Sequence, residues 1–281
     1  CSLYPGVYTW DGGEWVSLSL NSDEDVSGYS FDRIRDSLAL VAFYNNTGGG
    51  GWIDKTNWLS NEPITEWAGV TCIEKCVNGK VELAVTGIHF ENNNLVGQLP
   101  ANLKNLLNLT ELSLPMGQLN SSLPAWLSDL TKLQTIDFRS NQFSGTIPAG
   151  LGNLTDLVIL DLQDNQLSGA IPTGLGSLTK IIYLDLAYNY QLVGAIPSDL
   201  GSLTNLMFFD LQNCSLSGNI PSSFSGLTNL ISINIVGNQL TGNIPTNLLS
   251  APINEFCPQY QSDGITINLN PWTNYNGVGC P

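Results

Sequence analysis

Few side chains in this 281-residue sequence could do chemistry, and their spacing limits what that chemistry is. His89 is the one histidine. A serine or cysteine nucleophile needs a base within hydrogen-bonding reach. The segment around His89 offers no serine at that spacing on the same strand face, and no G-x-S-x-G, H-E-x-x-H or paired C-x-x-C occurs. The carboxylates are more regular: Asp137, Asp161, Asp185 and Asp210 recur at steps of 24, 24 and 25 residues. Acid–base catalysis needs two carboxyls whose surroundings push their pKa values apart, so a column of like groups in like settings argues against it. Asp23 to Gly28, DEDVSG, starts like a calcium loop, but its twelfth position is Ile34 where a bidentate Glu is needed. The expectation is no enzyme, no metal and no cofactor.

Charge narrows the partners. The formal net charge is −15, from 24 acidic residues against nine Lys and Arg, and beyond residue 132 the cations are Arg139 and Lys180. Such a surface repels nucleic acid and anionic membrane. No apolar run approaches the roughly 18 residues of a transmembrane segment. Six cysteines, Cys1, Cys72, Cys76, Cys214, Cys257 and Cys280, lie mostly near the two ends, where a secreted chain staples itself. Sequence does not fix their connectivity; Cys72–Cys76 and Cys257–Cys280 are the expected pairs, with Cys1 and Cys214 unassigned. An oxidising, extracellular or cell-surface setting fits, with sequons at Asn45, Asn108, Asn120, Asn153 and Asn213 as the acceptors it would expose. With 30 Asn in the chain, chance alone accounts for about that many sequons.

The elements that must position these residues come from repetition. A Leu/Ile-Pro pair recurs at Pro100, Pro124, Pro148, Pro172, Pro197, Pro221 and Pro245, every 24 residues except for one step of 25 at Tyr190. Each unit reads L-x-x-L-x-L-x-x-N-x-L-x-G-x-I-P, then x-x-L-x-x-L. Leu160 and Leu162 alternate with polar residues, the period of a strand with one buried face. The Asn that follows (Asn93, Asn141, Asn165, Asn189, Asn238) can satisfy backbone groups inside the turn. The Gly permits a bend, and the Pro ends pairing on that side. One coil cannot bury its leucines alone, whereas stacked coils can. Cys214 takes the Asn slot, as an inert buried thiol. The second unit has Gly117 there and Ser121 where Gly is usual, and is expected to be the least regular.

Seven registered copies over 85–250 resemble the plant-type leucine-rich-repeat family, and TGGGGWIDKTNWLSNEPITEWAGVTC resembles its N-terminal cap. Plant members usually carry another cysteine before the Trp of W-x-G-V-x-C; that slot falls near Thr65, so the cap bridge is expected to be rewired. The resemblance implies an α/β solenoid, a right-handed superhelix with a parallel sheet on its concave face. The organisation is then a strand-like arm at 1–29, a cap at 30–84, repeats at 85–250 and a C-terminal cap at 251–281. SFDRIRDSLALVAFYNNTGGGG reads as one amphipathic helix in which Ile34, Leu38 and Val41 or Ala42 share a face, stopped by the glycine run. GVYTWDGGEWVSLSL reads as a hairpin, and six tryptophans outside the repeats read as plugs for the solenoid ends.

Outward strand positions form columns. One runs Thr135, Ile159, Tyr183, Phe208, Ser232; the next holds the four aspartates and Asn234. Ile159, Tyr183 and Phe208, with Tyr188 near, form an apolar group where water is expected, a candidate interface. Two functions stay open at this point. The first is a non-enzymatic extracellular recognition module that binds a protein or polysaccharide on the concave face. The second is a structural subunit that self-associates end to end through the 1–29 arm.

Overall fold

The computed structural model describes residues 8–10, 15–17, 31–77, 80–243, 245 and 248. The strands are β1 (Tyr8–Trp10), β2 (Trp15–Ser17), β3 (Val70–Val77), β4 (Lys80–His89), β5 (Val96–Gly97), β6 (Glu111–Ser113), β7 (Gln118–Ser122), β8 (Thr135–Asp137) and β9 (Gln142–Thr146). They continue as β10 (Ile159–Asp161), β11 (Gln166–Gly169), β12 (Tyr183–Asp185), β13 (Gln191–Ala195), β14 (Phe208–Asp210), β15 (Ser215–Asn219), β16 (Ser232–Asn234) and β17 (Gln239–Thr241). One α-helix, α1 (Phe31–Asn46), precedes β3. The chain forms two compact units, divided between Leu119 and Asn120.

In the first unit β1 and β2 pair antiparallel, as the hairpin reading expects. Helix α1 also forms where expected, but with a different inner face. Asp36, Ala39, Leu40 and Phe43 are buried, whereas Leu38 is 39% exposed. Asp36 explains the rotation, because its Oδ2 accepts from the Val85 amide in β4 at 3.0 Å. A buried amide without a partner costs about 1–3 kcal/mol, so the helix presents its acceptor rather than a leucine. The helix ends at Asn46, and Gly48, two residues on, turns the chain in the left-handed region at φ 69. The carbonyls of Asn46 and Thr47 then accept from Gln98 and Val96.

Three of the tryptophans read as plugs pack here. Trp52 meets Trp58 and Phe90 at ring-centroid distances of 4.9 and 4.7 Å, and Trp58 meets Trp67 at 4.9 Å. Their indole N–H groups are all spent on carbonyls, of Thr47, Ala68 and Glu62. β3 pairs antiparallel with β4, and β4 pairs parallel with β6. The Cys72–Cys76 bridge expected from sequence is corrected by this strand. Both residues lie on β3, which places them about 13 Å apart at ~3.3 Å per residue, far beyond disulfide reach. The Cys72 thiol is free. Cys257–Cys280, the 251–281 cap and the calcium-like loop lie outside the described residues.

The second unit repeats one coil. In the coil from Leu157 to Leu178, Leu157, Leu160, Leu162, Leu167, Ile171, Leu175 and Leu178 all point inward, none more than 3% exposed. Each is a fixed position of the repeat, so the pattern L-x-x-L-x-L maps directly onto the dry interior. The segment after Pro124, Pro148, Pro172, Pro197 and Pro221 is a 3₁₀ turn, as in Thr173–Ser177, and the carbonyl of Pro172 accepts from Leu175. Sequence anticipates one strand per coil, but the coil has two. Beyond β8-β10-β12-β14-β16, a second parallel set, β9-β11-β13-β15-β17, follows the turn. It forms where the glycine at positive φ, for instance Gly169 at φ 78, redirects the chain.

The asparagine ladder ties coil to coil. Asn165 Oδ1 accepts from the Phe143 amide at 2.9 Å, and its Nδ2 donates to Phe138 and Leu162 carbonyls at 2.9 and 3.1 Å. Asn189 does the same for Leu167, Leu162 and Leu186, and Asn238 for Leu216, Leu211 and Ile235. In the first unit Asn93 applies the same logic to the cap, accepting from Asp54 N and donating to Asp54 O.

Candidate functional site

Strands β8 to β16 place the expected columns in register. Thr135, Ile159, Tyr183, Phe208 and Ser232 stand side by side, as do Asp137, Asp161, Asp185, Asp210 and Asn234. The aspartates, however, do not lie open to a partner, and that part of the reading is corrected. Asp137, Asp161 and Asp185 are buried, and Asp210 is half-buried. Each folds back so that Oδ1 accepts the amide two residues on, of Arg139, Gln163, Ala187 and Gln212 respectively. Asn234 makes the same bond to Val236. The column is a row of turn caps.

Stacking like charges in a buried row has an electrostatic cost. Arg139 relieves one end, 2.8 Å from Asp137 and 3.8 Å from Asp161. Asp161 is still pushed up to about 6, by burial first and then by Asp137. Asp185, a coil further from the arginine, is pushed up to about 7, by burial and by Asp161 and Asp210. The Tyr183 hydroxyl donates to Asp185 Oδ2 at 3.1 Å, and burial beside these carboxylates raises its own pKa.

Tyr183 and Phe208 do come together, at a ring-centroid distance of 6.2 Å, with Ile159 in register beside Tyr183. Tyr188 sits in the turn beyond the aspartates, hydrogen-bonded to Gln212 at 3.1 Å, with Tyr190 as its ring neighbour at 6.4 Å.

A second outward column went unread in the sequence: Val158, Ile182, Met207 and Ile231. Ile182, Phe208 and Ile231 are 37%, 39% and 40% exposed. The cause is a fork in the backbone. The amides of Val158 and Ile159 both donate to Gln134 O, those of Ile182 and Tyr183 to Val158 O, and those of Met207 and Phe208 to Ile182 O. Ile231 and Ser232 share Met207 O in the same way. Two consecutive residues therefore face outward, where strict alternation would have turned one in. The signal was present in L-x-x-L, whose two intervening residues cannot both be inside. The combined stripe crosses four coils. At its outer margin Ile182 and Met207 join Lys180, Asn205 and Asn229 around a shallow groove of about 370 Å³.

The remaining candidates lie apart from the stripe. His89 Nδ1 stands 3.2 Å from Glu111 Oε1, a half-buried contact with no nucleophile in it. Among the sequons Asn45, Asn120 and Asn153 are exposed, whereas Asn108 and Asn213 are half-buried. Cys214 is buried, and burial pushes its thiol up to about 12, the mark of an inert sulfur. Among the described residues no group of three or more His, Cys, Asp and Glu could hold a metal, and no helix is long and apolar enough to cross a membrane.

Leucine-lined coils joined by an asparagine ladder define a leucine-rich-repeat solenoid. The Leucine Rich Repeat family model matches residues 132–154, 156–178 and 205–227. Among solved structures, a pollen receptor kinase 3 is 30% identical at a TM-score of 0.58, over 73% of this chain and 92% of that one. The leucine-rich-repeat ectodomain of the Arabidopsis thaliana receptor kinase GASSHO1/SCHENGEN3, in complex with CASPARIAN STRIP INTEGRITY FACTOR 2, is 26% identical at a TM-score of 0.60. It covers 80% of this chain, which spans 30% of its length. The Arabidopsis receptor kinase HAESA ectodomain, in complex with an N-terminally extended IDA peptide hormone, is 30% identical at a TM-score of 0.56, over 79% of this chain and 42% of that one. No curated protein sequence matches. The chain belongs to the plant-type leucine-rich-repeat family.

Proposed function

We propose that the chain is a non-catalytic recognition module acting outside the cell, and that its partner, a protein or peptide, docks on the stripe of Val158, Ile159, Ile182, Tyr183, Met207, Phe208 and Ile231. One observation carries the reading. Large apolar side chains, exposed at Ile182, Phe208 and Ile231 and half-buried at Val158, Ile159, Tyr183 and Met207, stand in register across four coils, three of them pinned by buried asparagines, so the frame is rigid and the contact surface is pre-formed. Exposed apolar groups on a rigid frame are the usual seat of binding energy. The solved HAESA ectodomain in complex with a peptide hormone ligand supports a polypeptide partner rather than a glycan.

The test is selection of binders from a random peptide library on the full chain. Selected clones are then titrated against wild type and the Ile182→Ser, Phe208→Ser double variant. Both residues are exposed and neither side chain hydrogen-bonds, so the fold is expected to stay intact. Tyr183 is left alone because its hydroxyl caps Asp185. Clones that bind the double variant at least about tenfold more weakly, ~1.4 kcal/mol, support the site. Clones that bind both chains equally refute it.

A further inference from the structure

We infer that the segment seated on the stripe is an extended polypeptide that sets lysine or arginine among apolar side chains. The inference rests on the reading of the stripe as the recognition face and adds the chemistry of what it takes.

Three features of the face point there. The floor, Val158, Ile182, Met207 and Ile231, is branched aliphatic and thioether, which accommodates irregular apolar side chains. Beside it, past Tyr183 and Phe208, run Asp161 and Asp185, buried turn caps pushed up to about 6 and about 7, and the half-buried Asp210, so the row carries its full charge only above about pH 7. The nearby cations are already engaged: Arg139 with Asp137 and Asp161, and Lys180 with Asp156 at 2.6 Å. From residue 181 to the end the sequence has no Lys or Arg at all. Above about pH 7 the row therefore holds more negative charge than these two cations balance, and it draws a cation that arrives with apolar neighbours to the edge of the stripe without touching the buried carboxylates. At the outer margin Asn205 and Asn229 donate their amide N–H to Thr179 and Thr204 carbonyls at 2.7 and 2.8 Å. Their side-chain carbonyls face the groove margin as acceptors, which backbone amides and cationic heads can both meet. The reach agrees as well: four strands at ~4.8 Å spacing span about 14 Å, the length of about five extended residues.

Alternative occupants use less of this. A second copy of the chain would set one acidic face against another. A neutral sugar would leave the charge unanswered.

The probes are synthetic peptides of equal length: alternating Leu and Lys, alternating Leu and Glu, and alternating Ser and Lys. Each is titrated into the full chain, and into the Ile182→Ser, Phe208→Ser variant shown by thermal melt to be folded. The Leu/Lys peptide is expected to bind at least about tenfold more tightly than either control, ~1.4 kcal/mol. Its affinity should fall as salt shortens the screening length from about 30 Å at 0.01 M to about 8 Å at 0.15 M. The variant should lose that binding by about tenfold or more. If Leu/Glu binds as well as Leu/Lys and the variant loses both, the charge assignment is overturned while the stripe survives as the site. Leu/Lys binding that the variant leaves unchanged overturns the stripe itself. No binding of Leu/Lys to the wild-type chain overturns the inference.

Discussion

Asp185 meets two opposed demands. Its carboxylate caps the Ala187 amide and receives the Tyr183 hydroxyl, yet it does so in a buried row beside Asp161 and Asp210, with Arg139 reaching only as far as Asp161. An unfolded aspartate titrates near 4. With Asp161 and Asp185 held at about 6 and about 7, the folded chain binds more protons than the unfolded chain between those values. The two carboxyls titrate as a coupled pair. Their contribution to stability is therefore greatest at low pH, falls as pH rises from about 4 to 7, and is flat above. Asn234 shows that an amide serves the same cap. Asp185→Asn should raise stability at pH 8 by roughly 1–3 kcal/mol, less than the ~4 kcal/mol that about three pKa units at about 1.4 kcal/mol each would give, because a neutral amide accepts weaker hydrogen bonds from Ala187 N and the Tyr183 hydroxyl. It should also flatten the melting temperature between pH 5 and 8. A variant that melts lower than wild type at pH 8 would show that the charge itself is needed there.

At the scale of the coil, the one 25-residue step and the one cysteine in the asparagine slot are two halves of a single change. In neighbouring coils the Asn of the next coil accepts the amide at the start of the second strand, as Asn189 does for Leu167 and Asn238 for Leu216. The corresponding amide, Leu192, finds the Asn189 carbonyl within its own coil at 3.0 Å, because Tyr190 lengthens the turn. The next coil then needs no acceptor, and Cys214 fills the slot with its Sγ 3.4 Å from Leu186 O. Deleting Tyr190 alone should strand the Leu192 amide against a thiol, at a cost of about 1–3 kcal/mol. Cys214→Asn alone should gain nothing, since the amide is already taken. Combined, the two should recover most of the loss, and urea titrations of all four chains would read the coupling. Strict additivity would separate the two features. The sequence displays both irregularities but not their relation, which depends on which backbone amide each one faces. The helix shows the same limit. Its position was legible from glycines and apolar spacing, whereas the choice of face turned on one acceptor, Asp36, serving an amide 49 residues away.

Across the whole molecule, periodicity was the legible part. Seven copies of one pattern specify a coil with a dry leucine interior, and every leucine of the 157–178 coil takes the side that the pattern assigns it. The site was half legible. Ile159, Tyr183 and Phe208 came from column arithmetic, but the Val158, Ile182, Met207 and Ile231 column depends on a forked backbone bond that alternation does not foresee. The aspartate column was visible as residues and misassigned as surface, because capping of the i+2 amide is set by turn geometry. The account stands on the stripe being the surface a partner covers, and the chain carries its own reporters for that. Its two methionines are Met207, in the stripe, and Met116, 46% exposed in the first unit. Mass-spectrometric readout of peroxide oxidation, with and without saturating Leu/Lys peptide, compares them in one sample. The account predicts that bound peptide slows oxidation of Met207 and leaves Met116 unchanged; slowing at Met116 alone, or equal rates at Met207 in the free and bound chains, would contradict it.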